Sequence, residues 1–207
     1  SRDGMATNGI IVTAEEVIIT GNQVGDLDVS GNLEDCEGIY TKSTFGVIAH
    51  NVLTDATRES CAIAVKGFNG AQSPSADKMH VHNNLVRAVS AVNSVGCIVF
   101  ASASDVDIEH NKFYDLKDGA AVVNGSPKRV HTRKNKAVRC GGIPIYYACG
   151  DMQDCKVDGN EVVDQVMSSP ADVTRVMNPY PDSGTHVASG VHIKAISGRI
   201  KDIALLT

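Results

Sequence analysis

The chain contains no tryptophan, and aromatic residues make up only 4% of its 207 positions. A core of stacked rings is excluded, and so is a tryptophan platform for sugars, for which Tyr146 and Tyr147 are partial substitutes. No run of 18 apolar residues occurs, so no membrane-spanning helix is expected. Basic excess is also missing: 19 Lys and Arg stand against 24 Asp and Glu, a net charge of −5, which speaks against a nucleic-acid partner. None of the six cysteines forms a Cys-x-x-Cys pair, so zinc and thiol-redox motifs have little support. They are expected to be small buried hydrophobes, with pairing among Cys140, Cys149 and Cys155 left open. No His-x-x-x-His, phosphate-binding loop or Gly-x-Ser-x-Gly elbow is present. The first residues, Ser-Arg-Asp-Gly-Met, show no charged-then-apolar leader. What remains is 43% hydrophobic and 21% charged, the balance of a folded chain whose core is made of Val, Ile, Ala and Leu.

What the chain does have is a repeat. The unit is apolar-x-apolar-x-x-Asn-x-apolar. It reads Val17-x-Ile19-x-x-Asn22-x-Val24 and returns around Asn51, Asn84, Asn111, Asn135 and Asn160. In the second copy Gly46 replaces the first apolar residue. The asparagines are spaced by 29, 33, 27, 24 and 25 residues. A second element travels with the first, a small residue opening a β-rich run. Examples are Gly9-Ile-Ile-Val, Gly38-Ile-Tyr-Thr, Gly96-Cys-Ile-Val-Phe, Gly119-Ala-Ala-Val-Val, Gly142-Ile-Pro-Ile-Tyr and Gly190-Val-His-Ile.

Units of this length with β-branched residues, Asn and Gly punctuation and no 3.6 periodicity exclude helical repeats. The leucine ladder of a leucine-rich repeat is missing too. The expected fold is therefore all-β, a single-stranded right-handed parallel β-helix of about seven coils spanning residues 1–207. Asn is expected at a sharp turn because it tolerates the left-handed conformation. Stacked about 4.8 Å apart, such amides can bond to one another.

Residues 165–189 break the rhythm with Ser168-Ser-Pro-Ala and Asn178-Pro-Tyr-Pro-Asp-Ser-Gly, and are expected to form a long inter-coil loop. Asn69–Asp77 is a shorter one. At the C-terminus, Gly190-Val-His-Ile reads as another opening strand and Ile203-x-Leu205 as the apolar pair before an Asn. The chain is thus expected to stop in mid-coil, as a fragment of a longer protein.

The coil formula and its Asn turn, from Asn22 to Asn160, resemble the right-handed parallel β-helix of the pectate-lyase type over nearly the whole chain. That family includes polysaccharide lyases, polygalacturonases, alginate epimerases and bacteriophage tailspikes. Gly38-Ile-Tyr-Thr-Lys-Ser, the Asn51 turn and Ala62-Ile-Ala-Val-Lys-Gly67 are most similar to tailspike and tail-fibre proteins. The resemblance implies a virion or extracellular module that binds, and in some members cleaves, a host surface polysaccharide, as a homotrimer when complete. The alternative it implies is a free polysaccharide lyase, glycoside hydrolase or epimerase. Fold alone does not choose between them.

Alternation puts every second residue outward. The positions two, four and six before each Asn are bland in the first two copies and ionisable from the third onward. Asp107 and Glu109 lie two apart on one strand, about 7 Å, a spacing that suits an acid–base pair at a glycosidic bond. His80, His82 and His131 are candidate proton carriers or sugar contacts. Arg129 and Arg133 are candidates for holding a uronate carboxylate, and Tyr146 for stacking. The competing reading is a solvated charge ladder, with Arg129 between Asp105 and Asp154 and Arg133 between Glu109 and Asp158. The basic run Lys128–Arg139 fits the same strand alternation. The carboxylates Asp26, Asp28, Glu34, Asp35 and Glu37 could supply oxygens to Ca2+, but without EF-hand spacing, so no cofactor is expected.

Overall fold

The computed structural model describes residues 9–25, 37–54, 61–66, 77–87, 95–99, 103–117, 119–125, 127–140, 145–149, 152–163, 174–177, 188–189, 192–193 and 204–205. These residues form strands and turns only, and every strand pairing is parallel. The chain is a β-solenoid. Its first rung is β1 (Ile10–Thr20) and β2 (Gln23–Gly25), and its second is β3 (Glu37–Ala49) and β4 (Val52–Thr54). The third comprises β5 (Cys61–Lys66), β6 (Met79–His82) and β7 (Leu85–Arg87). The fourth comprises β8 (Val95–Val99), β9 (Asp107–Glu109) and β10 (Lys112–Tyr114), and the fifth β11 (Gly119–Gly125), β12 (His131–Arg133) and β13 (Lys136–Val138). The sixth holds β14 (Ile145–Cys149), β15 (Met152–Gln153), β16 (Lys156–Asp158) and β17 (Glu161–Val163). Beyond it lie β18 (Thr174–Met177), β19 (Ala188–Ser189), β20 (His192–Ile193) and β21 (Ala204–Leu205).

Three rows run along the axis. An opening row stacks β5, β8, β11, β14, β18 and β21, and a middle row stacks β6, β9, β12, β16 and β20. A corner row after each Asn stacks β2, β4, β7, β10, β13 and β17. The corner row stacks six strands among the described residues, fewer than the about seven coils expected. β1 and β3 belong to the opening and middle rows at once, each a single long strand.

The repeat's apolar positions fill the interior. Ile19, Ile48, Val81, Ile108, Thr132 and Val157 form one inward column, and Val24, Leu53, Val86, Phe113, Ala137 and Val162 another, all buried. Ile39, Ile63, Cys97, Ala121 and Ile145 line the opening row in register. Phe113 reaches across to Gly96, where an added Cβ would collide with its ring. Side chains of unequal size thus share one interior. Cys61, Cys97, Cys140 and Cys155 are buried thiols. Burial pushes the Cys97 thiol up to about 12 and Cys140 to about 11, as inert core thiols require. Cys36 and the Cys149 side chain lie outside the described residues.

The asparagines correct one expectation. The left-handed residue at each corner is the one before the Asn: Gly21, His50, Asn83, His110, Lys134 and Gly159, with φ of 71°, 57°, 54°, 56°, 53° and 62°. The Asn itself builds a ladder. The main-chain N–H and Nδ2 of Asn51 both donate to Oδ1 of Asn84 at 3.0 Å, and the remaining Nδ2 hydrogen goes to the Ile19 carbonyl at 3.0 Å. The pattern repeats from Asn84 to Asn111, Asn111 to Asn135 and Asn135 to Asn160. The amides of Asn51, Asn84, Asn111 and Asn135 therefore donate both hydrogens and accept twice at the oxygen, which is why they can be buried; Asn160 accepts twice and donates to the Thr132 carbonyl at 2.8 Å. Left-handed backbone alone would have suited Gly as well. The amide ladder is the property that only Asn supplies.

The C-terminal register is also corrected. His192–Ile193 continues the middle row on β16, and Ala204–Leu205 continues the opening row on β18. The two motifs therefore exchange the roles expected of them. Short apolar-x-apolar pairs occur in both rows, so the pattern without a following Asn does not tell the rows apart. Within 165–189, Thr174–Met177 pairs with β14 and Ala188–Ser189 with β15, and the rest lies outside the described residues.

Candidate functional site

The middle row presents its outward side chains as alternating bands, one rung per band, of basic or imidazole groups and of carboxylates. The third rung shows Lys78, His80 and His82, the fourth Asp105, Asp107 and Glu109, the fifth Arg129, His131 and Arg133. β6, β9 and β12 hold them in register: His80 faces Asp107, which faces His131, and His82 faces Glu109, which faces Arg133. Lys78, Asp105, Arg129 and Asp154 stand at a second left-handed corner, with φ of 53°, 57°, 52° and 53°.

Pairing across these bands is dense. Asp107 Oδ2 lies 3.0 Å from His80 Nε2, and Oδ1 lies 3.1 Å from His131 Nδ1 and 3.2 Å from an Arg133 terminal nitrogen. Glu109 accepts from Arg133 Nε at 2.8 Å and lies 3.4 Å from His80 Nε2 and 3.7 Å from His110 Nδ1. One imidazole and one guanidinium therefore bridge the two carboxylates. Arg129 grips Asp105 with two bonds, at 2.6 and 2.8 Å, and holds its carboxyl below the usual range. Arg133 turns to Glu109 and Asp107, not to Asp158. Ala49, expected outward, is buried. Asp115 and Arg139 form a further pair at the end of the corner row, and Arg139 lowers the Asp115 pKa.

The structure also gathers histidines that are scattered in the sequence. The His82 ring lies 5.6 Å from His50 and 5.3 Å from His80, edge to face, and Asn83 Nδ2 lies 2.9 Å from its Nδ1. Burial lowers the His82 pKa, helped by His80, His50 and His110 and opposed by Glu109. His50 and His110 sit on left-handed corners directly before an Asn. Registering that position as a column of its own would have revealed them. No group of three or more His, Cys, Asp or Glu is arranged to hold a metal among the described residues.

Beside the bands, a cleft of about 450 Å3 is lined by Thr44, Phe45, Asp77, Lys78, Ser104, Asp105 and Arg129. It sits where the opening and middle rows separate, and Phe45 offers an exposed ring. Of the residues singled out from sequence, His80, His82, Asp107, Glu109, Arg129, His131 and Arg133 share this one face. Tyr146 belongs to β14 in the opening row, paired with Val122 and Arg175, and its side chain lies outside the described residues. The proposed calcium carboxylates at positions 26, 28, 34 and 35 also lie outside them. Glu37 is buried. No helix among the described residues is long and apolar enough to cross a membrane.

The fold and this face together define a parallel β-solenoid with an ordered ionisable flank. Comparison with protein-family models, with curated proteins and with solved structures finds no match.

Proposed function

We propose that this chain is a polysaccharide-binding module of the tailspike or tail-fibre kind, with the banded face and its cleft as the contact surface. The observation that carries the proposal is that His80, Asp107, Glu109, His131 and Arg133 fix one another's positions on a stiff sheet, beside a cleft with an exposed ring. Polar groups already immobilised lose little entropy when a glycan arrives. Their rung spacing of about 4.8 Å offers a chain of hydroxyls a regular series of partners. The reading carries with it a virion or extracellular setting and assembly as a homotrimer.

Cleavage by a lyase, hydrolase or epimerase is the second reading. It has less support, because Asp107 and Glu109 already spend their oxygens on His80, His131 and Arg133. Titration with purified bacterial surface polysaccharides, followed by calorimetry, tests the first reading. Binding that weakens at least about tenfold in Arg133→Met, the scale of one lost charged hydrogen bond, supports it. Absence of binding across such a panel sinks it. Release of new reducing or unsaturated ends, abolished by Asp107→Asn or Glu109→Gln, would move the assignment to an enzyme.

A further inference from the structure

The charge of the middle-row face is decided by its histidines. Between the second and sixth rungs, the outward positions and their two flanking corners carry five fixed cations, Lys78, Arg129, Arg133, Lys134 and Lys156. Five carboxylates, Asp105, Asp107, Glu109, Asp154 and Asp158, cancel them. What is left is five imidazoles, His50, His80, His82, His110 and His131, of the seven in the chain. Imidazole is the side chain whose charge changes between about pH 5 and 8. The face is therefore near neutral above that window and gains positive charge below it. Three of the five imidazoles have a carboxylate at hand. His80 and His131 lie 3.0 and 3.1 Å from Asp107, and His110 lies 3.7 Å from Glu109. Among the described residues, no carboxylate forms an ion pair with His50 or His82. These two meet each other instead. The His82 ring lies 5.6 Å from His50 and 5.3 Å from His80. Glu109 and His110 act on it from the next rung. In the corner column, His50 stands between uncharged Gly21 and Asn83. Asn83 Nδ2 donates to His82 Nδ1 at 2.9 Å, so that nitrogen holds no proton. Burial, then His80 and His50, keep the His82 pKa below its ordinary value. Protonation makes three adjacent cationic rings, which repel unless an anion bridges them.

We propose that this face is an acid-switched site for a polyanionic glycan, seated over His50 and His82 and released near neutrality. The occupant is a sugar chain bearing sulfate or carboxylate groups. An anionic oxygen between the two rings accepts a hydrogen bond from each imidazolium. The Asn83 amide turns to present its oxygen to the new Nδ1–H of His82. The fixed cations do not make the site alone. Arg129 is held by Asp105, and Arg133 by Glu109 and Asp107. The inference rests on the reading of this face as a glycan contact, and adds the charge of the glycan and the condition under which it is held.

The test is calorimetric titration with dextran sulfate, carboxymethyl dextran and unmodified dextran at about pH 5 and about pH 7.5, either side of the imidazole range. At least one polyanion is expected to bind at least about tenfold more tightly at the lower pH, the scale of one charged hydrogen bond. Which of the two binds identifies the anionic group. The double variant His50→Asn, His82→Gln is expected to lose that difference, Asn being tolerated at the left-handed corner. In the unaltered chain, followed by NMR, bound polyanion is expected to raise the pKa values of His50 and His82 by about 1 in total, the same tenfold read through linkage. Equal acid binding by the double variant, or imidazole pKa values that do not move, shows attraction spread over the whole chain and overturns the proposal. So does an equal gain for unmodified dextran. Bacterial polysaccharide bound equally at both pH values overturns the switch and leaves the glycan reading standing. Absence of all binding at both pH values overturns both.

Discussion

The first two rungs and the next four have the same inside and different outsides. In β1 and β3 the chain runs straight from the opening row into the middle row. From the third rung on, the two strands are separate, and a left-handed residue (Lys78, Asp105, Arg129 or Asp154) starts the middle strand. At the junction in β3 stands Gly46, with φ of 155°, where an added Cβ would collide with the Val17 carbonyl oxygen. The outward residues of the straight rungs include Ile18, Val47 and Phe45, and those of the bent rungs are almost all ionisable. The inward columns, by contrast, stay buried throughout. The comparison separates two demands on one repeat. Inward positions must exclude water and fill a fixed width. Outward positions answer only to neighbours in register, so they are free to carry a site.

The comparison breaks most severely if the shared inside is attacked. Asn111→Ala should strip the N–H and Nδ2 hydrogens of Asn84 of their acceptor and leave the Val81 carbonyl without its donor, all buried. A loss of about 3–5 kcal/mol is expected from several buried unsatisfied groups, read by urea unfolding. Asn22→Ala, where the amide is only half-buried, should cost about 1 kcal/mol, one ordinary hydrogen bond. Equal losses at the two sites would refute the ladder as a cooperative unit. Gly46→Ala should cost about 2–3 kcal/mol by forcing the straight strand off its neighbour. Gly159→Ala, at a corner with open space on most sides, should cost about 1 kcal/mol from positive φ alone. On the outside, Arg133→Met removes a partner from two partly buried carboxylates and should cost about 1 kcal/mol, falling with added salt.

The smallest effect is a pH dependence confined to the bent rungs. His82 has its pKa lowered in the folded chain, so its contribution is present above the ordinary value of 6.5 and is lost as pH falls through the depressed folded value. The groups facing it are His80, His50, His110, Glu109 and Asn83. Asp105 and Asp115 are lowered by Arg129 and Arg139, so their contributions are present above 3.8 and are lost below it. Two separate acid steps in unfolding midpoint are therefore expected. His82→Asn should flatten the upper step and leave the lower. A single step, or an upper step that survives in His82→Asn, would assign the near-neutral change elsewhere.

By itself the sequence determined the solenoid, its rung lengths, its inward columns and the existence of an ionisable face. These follow from strand periodicity and from an Asn that recurs at a constant offset, both local properties of the chain. It did not determine which residue takes the left-handed corner, because Gly21, His50, Asn83 and Lys134 share no side-chain type. Nor did it place His192 and Leu205 in the right rows, where an apolar-x-apolar pair is ambiguous. The partners of Asp107 and Glu109, the meeting of His50 with His82, and the cleft at Phe45 were decided only by stacking. Residues 24–33 apart become neighbours there, and long charged side chains choose among several partners within reach.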